Sequence, residues 1–208
     1  MKNPLKKIYF FLLSFLGTIK FKFYILTHSN IKVIVGAGKT KIKGWFSTEE
    51  YFFNIVNPLD YEKFFKKKKI DFLLAEHVLE HIDQELLNIT ISNFFKYSNQ
   101  NCNIRIAVPD GFHPDINYIN YVKPGGGGAG AKEHKSLFNY KTLMSLFSEK
   151  GFVPDLIEYW DDKAKFHSKY KNDEKGIVYR SFINDERNID NKLSYTSLII
   201  DFRKNFKF

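Results

Sequence analysis

The chain has 208 residues, a formal net charge of +9 and one cysteine, Cys102. That length suits one domain with appendages, and a lone cysteine excludes an intrachain disulfide framework and a cysteine-rich metal centre. The basic balance favours anionic partners, but it is spread along the chain, and its densest block, Lys66-Lys67-Lys68-Lys69, runs directly into an apolar stretch; no nucleic-acid surface is expected from it.

With 22 Phe and 12 Tyr, the core is expected to be Phe-rich, with aromatics left for surfaces. The single cysteine fits a reducing, cytoplasmic location. Lys6 and Lys7 precede the apolar run from Ile8 to Ile19, which is too short to cross a bilayer as a helix. No Ala-x-Ala-like cleavage site follows it, which disfavours a signal peptide. Residues 1–30 therefore read as a flanking helix packed on the domain or as a membrane-surface segment. Residues 31–208 read as the domain itself.

Within it, 32–35 and 44–48 read as strands and 58–66 as a short helix with Pro58 near its start. The short apolar run 70–75 reads as a buried strand. Residues 83–97 read as a helix with Asp83 at its N-cap, and 103–108 as a strand stopped by Pro109. A helix over 139–149 ends near Gly151, and 153–159 and 195–203 are the last strands. Strands alternating with helices define an α/β fold with a mostly parallel sheet. Two irregular stretches, 110–136 and 161–193, interrupt the rhythm; inserts of that length are functional or disordered.

The chemistry concentrates where strands end. Ile31–Val35 runs into Gly36-Ala37-Gly38, and acids follow at Glu49 and Glu50. Glycines let backbone approach a ligand, strand ends are where open α/β sheets bind, and a carboxylate accepts both hydroxyls of a ribose. A dinucleotide fingerprint fails, since position 41 is Lys41 and the first acid comes early; a phosphate loop lacks its Gly-Lys-Ser/Thr. A nucleoside ligand without a pyrophosphate remains. His77-Val78-Leu79-Glu80-His81 matches the H-x-x-E-H zinc pattern, but that pattern needs a helix, and here it leaves a strand. Asp110 ends another strand at the same edge, as a turn stabiliser or beside a substrate. His113 and His134 flank the tract Gly125–Gly130, which reads as a lid or a spacer; either histidine could take a proton from an acceptor hydroxyl.

With these residues in view, the chain resembles class I S-adenosylmethionine-dependent methyltransferases, and more narrowly a group of predicted methyltransferases found beside surface-polysaccharide genes. The segments that carry the resemblance are VIVGAGKTKIKGWFSTE, IDFLLAEHVLEHI, IRIAVPDGFHPD, VKPGGGGAGAKEHKSLFNYKTLMSLFSEKGF and KLSYTSLIID. It implies a Rossmann-like, seven-stranded sheet with an antiparallel last strand, and S-adenosyl-L-methionine across the carboxyl ends. Gly36, Ala37 and Gly38 would line its methionine part, Glu49 would hold the ribose, Asn54 would lie near the adenine, and Glu76 and His77 would close the pocket by the sulfonium. The spacer after the glycines is short, so a reduced first crossover helix is expected. The resemblance transfers no catalytic residue; Asp110, His113 and His134 are the candidates, and no metal is expected. A small-molecule or glycan acceptor, sugar-like or otherwise polar or anionic, is the expected partner. A SAM-binding module without transfer activity and a zinc hydrolase using His77, Glu80 and His81 are the alternatives.

Overall fold

The computed structural model describes residues 4–205. A helix α1, Pro4–Thr27, precedes a seven-stranded sheet made of β1 Lys32–Val35, β2 Phe46–Ser47, β3 Ile70–Glu76, β4 Ser98–Pro109, β5 Phe152–Trp160, β6 Phe166–Ser168 and β7 Ser197–Lys204. Four further helices follow α1: α2 Pro58–Phe64, α3 Gln84–Tyr97, α4 Ile116–Val122 and α5 Tyr140–Ser148. The strand order is β2-β1-β3-β4-β7-β5-β6. Strands β1 to β4 pair in parallel, whereas β7 lies antiparallel to both β4 and β5, and β6 antiparallel to β5. This is the mostly parallel, Rossmann-like α/β arrangement expected, with antiparallel C-terminal strands.

Strand periodicity sends alternate residues to opposite faces. Val33, Val35, Leu73, Ala75, Ile104, Ile106, Leu198 and Ile200 join one core with α1, α2, α3 and α5. Ile34, Leu74, Ala107 and Ile199 form a second core with Tyr170 and Val178. Helices therefore cover the first face, while irregular backbone from 39–45 and 169–180 covers the second. The stretch 161–193, expected as an insert, supplies that cover.

A buried polar knot ties this cover down. Arg105, 1% exposed, stands opposite Asp201 across the β4–β7 pair. Its Nε and Nη2 donate to the two Asp201 carboxylate oxygens at 2.8 and 3.0 Å. Its Nη1 donates to Asp173 at 2.8 Å and to the Gly176 carbonyl at 2.7 Å. Gly176 must be glycine, because its φ is +113° and a Cβ there would meet Leu74 and Trp45 side chains at 3.2 Å.

Several expectations change. No helix links β1 to β2; residues 36–45 form turns, so the first crossover helix is absent rather than reduced. Asp83 sits at the N-cap of α3 but its side chain makes no capping bond. The stretch 110–136 contains α4. The glycine tract folds as a hydrogen-bonded plug on the end of α4: Gly126, Gly127 and Gly128 donate to the carbonyls of Lys123, Asn120 and Tyr121. A Cβ on Gly128 would lie 2.6 Å from the Tyr121 carbonyl oxygen, so only glycine permits this approach.

The N-terminal apolar helix is also longer than its apolar run. At 24 residues it is long and apolar enough to cross a membrane by length and composition. Its second half docks on the domain. Phe21 is fully buried among Phe46, Phe52, Phe53, Phe64 and Phe65. Tyr24 Oη donates toward the Lys32 and Gly44 carbonyls at 3.1 and 3.2 Å.

Candidate active site

The site is built where β1 and β3 end. Beyond Val35 the chain enters the left-handed region twice, at Gly36 (φ +56°) and Gly38 (φ +55°). The end of β2 locks this turn: Ala37 N–H donates to the Thr48 carbonyl at 3.0 Å, and Thr48 N–H to the Ile34 carbonyl at 2.8 Å. Glu49 follows immediately, and its carbonyl accepts from the Phe52 and Phe53 amides, which folds the chain back over the glycine turn. Burial pushes the Glu49 carboxyl above its ordinary range, partly offset by the Gly38 N–H that donates to it.

At the neighbouring strand end His77 adopts φ +54°, a strained conformation for a residue with a side chain. Its N–H is held by the Ala107 carbonyl at 2.8 Å. Val78 then packs over Gly36, where a Cβ would come within 2.8 Å of Val78 Cγ2. A 3-10 turn, Leu79–His81, leads to α3.

Between these elements lies a cavity of about 530 Å³ bordered by Gly36, Glu49, Asn54, His77, Val78 and Asp83, among others. A second cavity, about 300 Å³, adjoins it and shares His77 and His81. Tyr121, His134, Arg180, Arg187 and Tyr195 border the second cavity. Arg187 stacks on the Tyr195 ring at 3.4 Å and pairs with Asp185 at 2.6 Å.

Of the residues expected at a cofactor, Gly36, Glu49, Asn54 and His77 border the larger cavity. Ala37 packs in the second core, and Gly38 meets the site through its N–H to Glu49. Glu76 is placed differently: its carboxylate accepts from the Tyr179 and Arg180 amides at 3.2 and 2.7 Å, anchoring the segment that carries Arg180.

The catalytic candidates separate. Asp110 and His113 border neither cavity. Asp110 is fully buried and accepts from the Phe112 and Trp160 amides at 2.9 and 2.8 Å; burial pushes its carboxyl to about 6. His113 accepts from the Asp115 amide, stacks on Tyr118 at 3.9 Å, and has its pKa lowered by burial. Both are held by these bonds away from the two cavities. His134 alone reaches a cavity. Its Nδ1–H donates to the Val122 carbonyl at 2.6 Å, leaving the lone pair on Nε2. The H-x-x-E-H residues sit on a strand end and a 3-10 turn rather than on a helix, so His77 and His81 do not share a helical face as a zinc protease requires.

Glu158, beside Asp110, gives a pH signature. Its buried carboxyl accepts from the Phe182 amide at 2.9 Å, and burial pushes it from 4.5 to about 7. Between those values the native state holds a proton that the unfolded chain releases, so stability falls as pH rises. The ionised group costs on the order of 3 kcal/mol above pH 7. Glu158→Gln is expected to flatten this slope in melting curves between about pH 5 and 8; an unchanged slope would contradict the assignment.

Sequence reasoning missed Tyr121, Arg180, Arg187 and Tyr195. Tyr121, Arg180 and Arg187 had no signal beyond membership of the two irregular stretches, and Tyr195 stood at the start of an expected strand.

No family model and no curated protein sequence matches the chain significantly. Among solved structures it is similar to a SAM-dependent methyltransferase from Archaeoglobus fulgidus, at 16% identity and a TM-score of 0.45, covering 92% of this chain and 94% of that one. It is also similar to a SAM-dependent methyltransferase of Thermotoga maritima, described as a possible histamine N-methyltransferase, at 13% identity and a TM-score of 0.48, covering 96% and 95%. LepI in complex with SAM is similar at 10% identity and 0.41, covering 90% of this chain and 40% of LepI. Likenesses this distant assign no site residue and no substrate; those rest on the geometry above.

Proposed function

We propose that this chain is an S-adenosyl-L-methionine-dependent methyltransferase, with the donor in the larger cavity and the acceptor in the smaller one. The observation that carries this reading is the pairing of Gly36 and Glu49 across one cavity. Gly36 has no room for a side chain, and Glu49 is a half-buried carboxylate suited to two hydroxyls. The volume lies within the roughly 300–1,000 Å³ typical of small-ligand sites. Glu49 would hold the ribose hydroxyls, Asn54 and Asp83 would border the adenine, and the backbone at Gly36 would face the methionine part. S-adenosylmethionine supplies a methyl group already activated on a sulfonium.

The chain's own task is then alignment and exclusion of water. His77, fixed by its backbone bond and by Ser197, stands at the wall shared by the two cavities. Arg180 and Arg187 favour an anionic acceptor, and Tyr121 and Tyr195 offer faces for a sugar ring. Transfer of a radiolabelled methyl group onto nucleotide sugars, glycans and small acids tests the activity. Binding of S-adenosylhomocysteine without transfer to any of these would favour a SAM-binding module instead.

Helix α1 supports a membrane-surface role. Ile8, Tyr9, Phe10, Phe11, Leu12, Phe15, Leu16 and Ile19 leave an apolar surface, 49–69% exposed, around the first half of the helix, while Phe21, Tyr24 and Ile25 dock the second half. Exposed Lys6, Lys7, Lys20 and Lys22 accompany it, as suits an anionic bilayer surface. The protein is expected to co-sediment with phosphatidylglycerol vesicles. Leu12→Asp with Phe15→Asp should weaken this about tenfold or more without changing the fold. Equal sedimentation of both proteins would contradict it.

A further inference from the structure

Glu80 is the least explained group in the molecule. It is 0% exposed, and neither carboxylate oxygen has an aligned hydrogen-bond partner. The carboxylate's one close partner among the described residues is His77, whose Nδ1 lies 3.1 Å from Oε1 as an ion pair; burial raises the Glu80 carboxyl, and the His77 and His81 imidazoles pull it down again. A carboxylate so enclosed is costly unless it is paired or coordinates a metal.

Two imidazoles face it. His134 Nε2 lies 4.0 Å from Glu80 Oε1, and the His81 and His134 rings meet edge to face at 4.6 Å. One donor atom each from Glu80, His81 and His134 fall within 4.8 Å of one another. The backbone holds this grouping. Lys135 and Ser136 amides donate to the Glu80 carbonyl at 2.6 and 3.2 Å, clamping the His134 segment onto the 3-10 turn. Gly130, at φ +80°, carries the chain past His81, 3.5 Å from where a Cβ would be. The Nδ1–H of His134 is spent on the Val122 carbonyl, the kind of bond that fixes the tautomer of a metal-ligating histidine.

We propose that Glu80, His81 and His134 bind a divalent transition-metal ion beside the smaller cavity, which His81 and His134 border. Two imidazoles and one carboxylate form a set that suits zinc and its first-row neighbours and leaves coordination positions open. Those positions point the site's use: resting on the methyltransferase reading, they take an oxygen of the acceptor and orient it toward the donor cavity. The ligand set is not the H-x-x-E-H set, because His77 Nε2 is committed to Ser197 Oγ at 3.0 Å and His134 takes its place.

Isothermal titration of the full chain, stripped with chelator and dialysed, tests this with Zn²⁺ and with Mn²⁺ in separate runs. One equivalent of at least one ion is expected to bind. His81→Gln and His134→Gln should each weaken it on the order of 100-fold, and His167→Gln, remote from the cluster, should leave it unchanged. Circular dichroism checks that the variants fold. Visible absorption of the wild-type protein with Co²⁺ reports histidine coordination without any variant. Binding of neither Zn²⁺ nor Mn²⁺, or binding unaltered in folded His81→Gln, overturns the assignment. Affinity for S-adenosylhomocysteine in metal-free buffer is read separately, so failure of the metal site and failure of the methyltransferase reading are distinguishable.

Discussion

Glu49→Ala is expected to weaken S-adenosylhomocysteine binding by about two orders of magnitude, measured by calorimetry. Hydrogen bonds to a charged group contribute roughly 1.5–3 kcal/mol, and the ribose offers two. The variant should fold normally. Burial already pushes the Glu49 carboxyl up, so its removal relieves a desolvated charge and orphans only the Gly38 N–H. A melting temperature within about 4 °C of wild type is expected without ligand. Glu50→Ala, one residue on and also bordering the cavity, should have a much smaller effect. Equal affinity in wild type and Glu49→Ala would remove Glu49 from the ligand.

Arg105→Met is expected to be the most destabilising single substitution. It leaves Asp201, 0% exposed, facing apolar surroundings with only Lys175 Nζ at 3.3 Å. Breaking a buried ion pair from one side costs roughly 3–5 kcal/mol, which for a chain of this size lowers the melting temperature on the order of 10 °C. Arg105→Met combined with Asp201→Leu should recover much of the loss, because the fully buried charge is then gone and only the partly exposed Asp173 loses its partner. The effect reaches the site: Arg105 holds Asp173 and Gly176, and the same segment continues to Arg180 at the second cavity. A single variant that melts within about 3 °C of wild type would contradict this account.

Arg105 also shows what a sequence conceals. In Ile104-Arg105-Ile106 the arginine points to one face of the strand, and no signal in the sequence shows that face to be buried. That face is in fact covered by the polar stretch 169–180, whose role is invisible until it folds onto the sheet. Strands β1 and β3 were legible because each is a short, mostly apolar run, broken only by Lys32 or Asp71 near its start and ended by Gly36 or by polar residues. The beginning of β4 was not, since Ser98-Asn99-Gln100-Asn101 carries no apolar signal, and β6 has only three residues at the sheet edge. Helix α1 outran its apolar run because Lys20 and Lys22 interrupt hydropathy, while Phe21, Tyr24 and Ile25 keep a docking face at helical spacing. In the site, Glu49 and Gly36 could be placed from strand ends and spacing. The meeting of His134 with Glu80 and His81 could not, because it depends on the backbone clamp at Lys135 and on glycines that let the tract fold against α4.

The central claim is that the cavity between Gly36 and Glu49 holds S-adenosylmethionine. Titration calorimetry of the full chain with S-adenosylhomocysteine tests it most directly. One equivalent bound is predicted, accompanied by a thermal stabilisation of about 2.7 kcal/mol at 100 times the dissociation constant. A folded protein that shows neither heat nor stabilisation at millimolar ligand would contradict it.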